Sequence, residues 1–220
     1  MKNIKGFIFD MDGVIFDTER VYLDIWTNVF KKYGYEMEKD VYISVMGRGR
    51  KIVKEVFINH FGQDLPIEEM YVEKDNLLFE VINRGEVPIK EGAIEILDFL
   101  KEHNYKIALA TSAKMDRLKK QLTLANIYDK FDVIVCGDDV NKTKPDPEIY
   151  IKAATYLNLQ CEDCVVIEDS PAGIRGAYNG NMIPFHVEDL KEADEEMKRL
   201  SYRCFKNLNE IKEYINGIIR

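Results

Sequence analysis

The tetrapeptide Asp10-Met11-Asp12-Gly13 sets two carboxylates two residues apart, directly behind the apolar run Phe7-Ile8-Phe9. Acids crowded at the end of a buried segment repel one another and are costly to dehydrate, so they need a partner of opposite charge. Three further segments carry polar groups in the same setting: Thr111-Ser112 after "KIALA", Lys144 within "GDDVNKTKPDP", and Glu168-Asp169-Ser170 after "CVVI". The set fits a phosphoryl group held with a hard divalent cation. Mg²⁺ takes oxygen ligands and binds through a few carboxylates plus water and phosphate, and Asp10, Asp12, Glu168 and Asp169 can supply them. A phosphate needs donors. The Thr111 hydroxyl, backbone N–H groups at a helix N-terminus and the Lys144 ammonium can serve. An aspartate can also attack phosphorus and carry the phosphoryl group. In extended chain the i, i+2 spacing turns Asp10 and Asp12 to the same side, so that one attacks while the other handles the proton of the leaving or entering oxygen. Gly13 permits a tight turn behind them. Each signal alone is weak: D-x-D-G is often a plain turn, Lys144 could be solvated, Thr111 could cap a helix, and Glu168-Asp169 could be loop charge. Their order, at the ends of four predicted strands, is what carries the reading.

Those strands follow from the pattern of the chain. Residues 4–9, "IKGFIF", form a continuous β-friendly run that would be buried on both faces. From Val21 the apolar residues Tyr22, Ile25, Trp26, Val29, Phe30 and Tyr33 recur with helical period, and Gly34 ends the run. Helices are also predicted over 40–46, 50–61 and 66–83, so the stretch after the first strand is all helical. The rhythm then alternates. Helices over 92–103, 114–125, 147–157 and 171–179 precede strands at 106–111, 131–136, 164–169 and 182–185, with a last helix over 208–219. This alternation implies an α/β fold with a doubly wound parallel sheet, into which the helical block is inserted. We expect a core domain of residues 1–16 and 87–220 and a helical domain of residues 17–86, joined at "VIFDTE" and "RGEVPIKEG". Two short connections could act as a hinge. Ser170-Pro171 and Asp146-Pro147 read as N-cap and N1 pairs that start helices at the rim of the sheet.

Composition narrows the partners. Of 220 residues, 46% are hydrophobic and 32% charged, as in an ordinary soluble globular protein. A net charge of -8 argues against a general nucleic-acid or anionic-membrane binder, though it permits a local basic pocket. No apolar run approaches the ~20 residues that span a bilayer. The start, "MKNIKGFIFDMDG", does not read as a signal peptide, so a cytoplasmic location is expected, and a monomer with it. Cys161 and Cys164 form a C-x-x-C, but no second pair and no pair of nearby histidines completes a zinc site, so half-buried thiols beside a strand are expected.

The motifs resemble those of the haloacid dehalogenase superfamily of phosphotransferases: "DMDGVIFDTE" its first, "LATS" its second, the lysine of "KTKPDP" its third, "VIEDSPAGI" its fourth. The resemblance covers essentially the whole chain. The helical insert is similar to the cap of the β-phosphoglucomutase-like subfamily. Carried over by position, it implies Asp10 as nucleophile and Mg²⁺ ligand. It makes Asp12 the general acid/base, bound to Mg²⁺ through its backbone carbonyl. Thr111 and Lys144 would hold the phosphoryl group with the backbone N–H of Ser112. Asp169 would be the acidic metal ligand, with Glu168 beside it or behind it. Dehalogenases of the superfamily lack the second aspartate and need no metal, so Asp12 and the Glu168-Asp169 pair favour phosphate chemistry. Sugar phosphomutases of the subfamily carry a cap histidine where this chain has Tyr22, ten residues after Asp12. The expected activity is therefore Mg²⁺-dependent hydrolysis of a small phosphorylated metabolite, a sugar phosphate or nucleotide, with a sugar phosphomutase as the alternative. "DTERVY" with "VMGRGR" is similar to broad-range sugar- and nucleotide-phosphate phosphatases, pseudouridine-phosphate phosphatases among them. Glu19, Tyr22, Arg48, Arg50 and Lys114 are the candidates for substrate recognition, while Trp26 and Tyr33 are expected in the core of the cap. A phospho-signalling receiver also uses acids, a Ser/Thr and a Lys. Its phosphorylated aspartate comes mid-chain, after an N-terminal acidic pair, and it has no large helical insert.

Overall fold

In chain order the first elements are β1 (Gly6–Phe9), α1 (Thr18–Lys32), α2 (Lys39–Val45), α3 (Arg50–Phe61) and α4 (Ile67–Arg84). The alternating part follows with α5 (Ala93–Glu102), β2 (Lys106–Ala110), α6 (Met115–Leu124), β3 (Val133–Val135), α7 (Glu148–Tyr156), β4 (Cys164–Glu168) and α8 (Pro171–Asn179). The chain closes with β5 (Ile183–Val187), α9 (Glu195–Leu200), β6 (Arg203–Phe205) and α10 (Leu208–Ile219). The computed structural model describes residues 4–46 and 50–219, so Arg48 lies outside the described residues. Two compact units divide the chain: Met1–Asp17 with Pro88–Arg220, and Thr18–Val87.

The first unit holds a six-stranded sheet in the order β3-β2-β1-β4-β5-β6. Every adjacent pair is parallel. A parallel sheet is covered on both faces, and β1 shows the consequence: all four of its residues are buried. α5 turns Ala93, Ile96, Leu97 and Leu100 inward at helical spacing. Ile149, Tyr150, Ala153 and Ala154 of α7 pack with Ile8, Ala108, Val135 and Val166 of the sheet. In this strand order the direction of winding reverses between β1 and β4, and the crevice beyond the carboxyl ends of those two strands is where such sheets bind ligands. The register sets Phe9 beside Ile167, so Asp10 and Glu168 leave the sheet as neighbours.

Two elements escape the sequence pattern. α9, "EEMKRL", buries only Met197, and β6 is a three-residue strand at the edge of the sheet. α7 begins at Glu148 rather than at the expected Pro147, although the Asp146 carboxylate still accepts the Glu148 N–H at 3.0 Å. Ser170 caps α8 as expected, its hydroxyl accepting from the Gly173 N–H at 3.1 Å with Pro171 in the first turn.

In the second unit, the Trp26 ring meets Phe30, Phe57 and Tyr71 edge-on at centroid distances of 5.7, 5.4 and 4.9 Å. Trp26 is buried, and Tyr33 only half-buried. No helix among the described residues is long and apolar enough to cross a membrane.

Candidate active site

Lys144 is the centre of the charged cluster. Its Nζ donates to Asp10 Oδ1 at 2.6 Å and to Glu168 Oε1 at 2.7 Å, and lies 3.3 Å from the Ala110 carbonyl oxygen. All three charged side chains are nearly out of solvent, at 9%, 10% and 1% exposure. Glu168 is held from the other side as well. The Tyr150 hydroxyl donates to Oε1 at 2.9 Å, and the Ser170 N–H and hydroxyl donate to Oε2 at 2.8 and 2.9 Å. Burial works against charge on Glu168, but Lys144 and these hydrogen bonds outweigh it and hold its carboxyl below the usual range. Burial likewise opposes the charge of Lys144, and the two carboxylates override it, keeping its pKa well above that of an ordinary lysine. The burial of Asp10, only partly offset by Lys144 and aggravated by Glu168, pushes its pKa up to about 7.

A carboxylate whose charge is this poorly compensated suits a further cation. Ligand oxygens of Asp10, Glu168 and Asp169 lie within 4.8 Å of one another. Two glycines shape the cradle. A Cβ on Gly13, whose φ of +76° already favours glycine, would collide with the Asp169 carboxylate, and a Cβ on Gly173 would collide with that of Glu168. Three carboxylates with room kept around them form an all-oxygen donor set, which fits Mg²⁺.

Thr111 is buried at the end of β2, its hydroxyl accepting the Ala113 N–H at 3.1 Å. Ser112 is exposed beside it, and Gly137 packs so closely on the Ser112 carbonyl that a side chain there would clash. Lys114 is exposed and extended just before α6. Asp12 stands apart from the carboxylate cluster: its Oδ1 accepts from an Nη of Arg117, and its backbone pairs with Phe16 across an isolated bridge. Sequence reading did not single out Arg117. The available signal was its place in the first turn of the helix that follows Thr111-Ser112, where side chains return to the rim.

In the helical unit, Glu19, Tyr22 and Arg50 line one open pocket of about 260 Å³ together with Trp26, Tyr42, Tyr71, Lys74 and Asp75. Tyr42 donates to Glu19 at 2.6 Å, Arg50 lies 4.0 Å from the Tyr71 ring centre, and Lys74 lies 5.0 Å from that of Tyr22. The C-x-x-C carries free thiols, and burial pushes Cys164 up to about 12, far from a reactive thiolate.

The model of the family described as haloacid dehalogenase-like hydrolase matches residues 7–187, so the chain belongs to that family of enzymes. It is 33% identical over 183 residues to a phosphorylated carbohydrates phosphatase of Thermotoga maritima, covering 81% of this chain and 82% of the relative. It is 28% identical over 209 residues to a validoxylamine A 7'-phosphate phosphatase of Streptomyces hygroscopicus subsp. limoneus, covering 90% and 94%. Among solved structures, a β-phosphoglucomutase from Clostridium difficile superposes with a TM-score of 0.73 at 28% identity, covering 99% of this chain and all of the other.

Proposed function

We propose that the protein is a Mg²⁺-dependent phosphatase that hydrolyses a small phosphate monoester, a sugar phosphate or nucleotide, through an aspartyl-phosphate on Asp10. The observation that carries this reading is the buried Asp10 beside Lys144 at 2.6 Å, at the switch point of the sheet. Asp10 Oδ attacks phosphorus, a new O–P bond forms, and the bond from phosphorus to the substrate oxygen breaks. Asp12 gives its proton to that leaving oxygen. Water then attacks the aspartyl-phosphate, Asp12 takes the water's proton, and phosphate and free Asp10 result. Lys144, the Thr111 hydroxyl and the Ser112 N–H hold the phosphoryl oxygens, and Lys144 lets a dianion approach a carboxylate. Asp10, Asp169 and Glu168, with the Asp12 carbonyl, would hold Mg²⁺, which when bound offsets the negative charge on the phosphoryl group and its nucleophile.

The substrate class draws support from two sides. Both relatives named above are phosphatases, the first of phosphorylated carbohydrates. The pocket of the helical unit pairs aromatic faces with charged and hydroxyl groups, as a polyhydroxylated leaving group requires. We assign substrate recognition to Glu19, Tyr22 and Arg50 in the helical unit and to Lys114 in the sheet unit. The decisive assay is phosphate release from a panel of sugar phosphates and nucleotides, with Mg²⁺ and with EDTA. Release that needs Mg²⁺ is expected. Isomerisation of a hexose 1-phosphate without release would mean a mutase instead.

A further inference from the structure

We infer that Arg117 is a positioning residue for Asp12, and that Gln121 sets its orientation. The inference rests on the phosphatase reading, in which Asp12 moves the proton. The two aspartates of the first motif do not share a counter-ion. Asp10 is served by Lys144, whereas the Asp12 carboxylate meets the Arg117 guanidinium, 105 residues further along the chain. Both members of this second pair keep partial access to solvent, 22% for Arg117 and 25% for Asp12, as a group that must reach a substrate requires.

Gln121 makes the pair directional. It lies one helical turn after Arg117 on α6, and its Oε1 accepts the Arg117 Nε–H at 2.9 Å. With Nε engaged, the plane of the guanidinium is fixed and a terminal nitrogen is turned to Asp12. Gln121 is 3% exposed, and its Nε2 has no hydrogen-bond partner among the described residues. A buried amide left half satisfied is uncommon. Turning it over would set its NH₂ against a guanidinium that can only donate. The arrangement therefore gives up one amide hydrogen bond in order to orient the arginine.

Arginine suits this task better than lysine. It keeps its own proton throughout the working pH range and fixes a carboxylate through a planar fork. In the phosphatase reading Asp12 hands a proton to the substrate oxygen as the P–O bond breaks and takes one from water in the second step. A carboxyl free to rotate would miss that oxygen in most encounters, and misplacement by about 1 Å can slow a reaction about 100-fold.

The leaving group separates this role from a purely structural one. A sugar alkoxide needs the proton from Asp12, whereas 4-nitrophenolate departs without one. For Arg117→Ala we expect kcat on a sugar phosphate to fall about 100-fold with little change in KM. The first-turnover burst of 4-nitrophenolate from 4-nitrophenyl phosphate should stay close to wild type. Arg117→Lys should recover part of the loss, and Gln121→Ala should fall between. An equal fall on both substrates, or an unchanged kcat on the sugar phosphate, would overturn the inference. A second readout needs no turnover. The Arg117 Nε–H resonance should be protected from exchange in the wild type and lose protection in Asp12→Asn and in Gln121→Ala. A resonance that exchanges as fast as those of exposed arginines in the wild type would equally overturn it. Wild-type inactivity on both substrates would sink the phosphatase reading, and the exchange measurement would still decide whether Arg117 is held.

Discussion

One ammonium, Lys144, serves two buried carboxylates, and Glu168 is the better compensated because Tyr150 and Ser170 also donate to it. Asp10 thus bears the excess charge, with a pKa raised from 3.8 to about 7. Between those values the unfolded chain has given up the Asp10 proton and the folded chain keeps it. The contribution of Asp10 to metal-free stability is therefore full below about pH 3.8 and is lost as pH rises through about 7. In EDTA, wild-type Tm should fall relative to Asp10→Asn across this window, and thermal melts at a series of pH values would show it; a constant difference would contradict it. Removing the shared cation is a harsher change. Lys144→Met leaves two carboxylates unpaired in the interior and should lower stability by about 3–5 kcal/mol in urea titrations, besides abolishing turnover. Asp10, Asp12, Thr111, Glu168 and Asp169 were picked out in the sequence because each stands at or just past the end of a buried strand, and Lys144 because it lies in the segment after β3. Arg117 was not, because a basic residue in the first turn of a polar helix looks like any solvated one until the fold brings it to Asp12.

At the level of elements, the start of α8 links sheet, acid and helix. Ser170 caps the helix and donates to Glu168, while Gly173 leaves space for the same carboxylate. Gly173→Ala must displace Glu168 and with it Lys144. We expect a loss of about 1–3 kcal/mol in stability and weaker Mg²⁺ binding by titration calorimetry. On the Mg²⁺-dependent reading, the wild type should gain Tm with Mg²⁺, by the equivalent of about 2.7 kcal/mol at a hundredfold excess over Kd, and Asp169→Asn should fold normally and lose that gain. The parallel strands and long helices were readable because a buried strand and a one-sided helix each leave a strong periodic signal. β6 and α9 left none: three residues at a sheet edge and six with a single buried side chain are too short for a period to emerge. The start of α7 differs by one residue: Pro147, expected as the first helical residue, stands at the N-cap, while the Asp146 carboxylate still accepts the Glu148 N–H.

Across the whole molecule, the one tryptophan of the chain, Trp26, lies at the centre of the aromatic cluster of the helical unit. Its fluorescence therefore follows that unit alone, while the sheet unit carries none. Trp26→Ala should destabilise the helical unit by about 3–5 kcal/mol, and circular dichroism melts should then show part of the helical signal lost in an earlier transition, the helices of the sheet unit melting later. The sequence places the insertion at residues 17–86, and the compact units divide after Asp17 and after Val87; Glu19, Tyr22 and Arg50 are named one by one as recognition candidates, but that they line one pocket is not legible, because its walls come from four separate helices. The way the interruption is closed has its own consequence. The Asp17 N–H donates to the Pro88 carbonyl at 2.9 Å, the Lys90 N–H donates to Ile15 at 2.9 Å, and Phe16 bridges to Ile89. The two ends of the insertion thus meet across two backbone hydrogen bonds, and the entropy of closing such a loop grows only slowly with its length. Lengthening the inserted stretch is therefore expected to cost the sheet unit little.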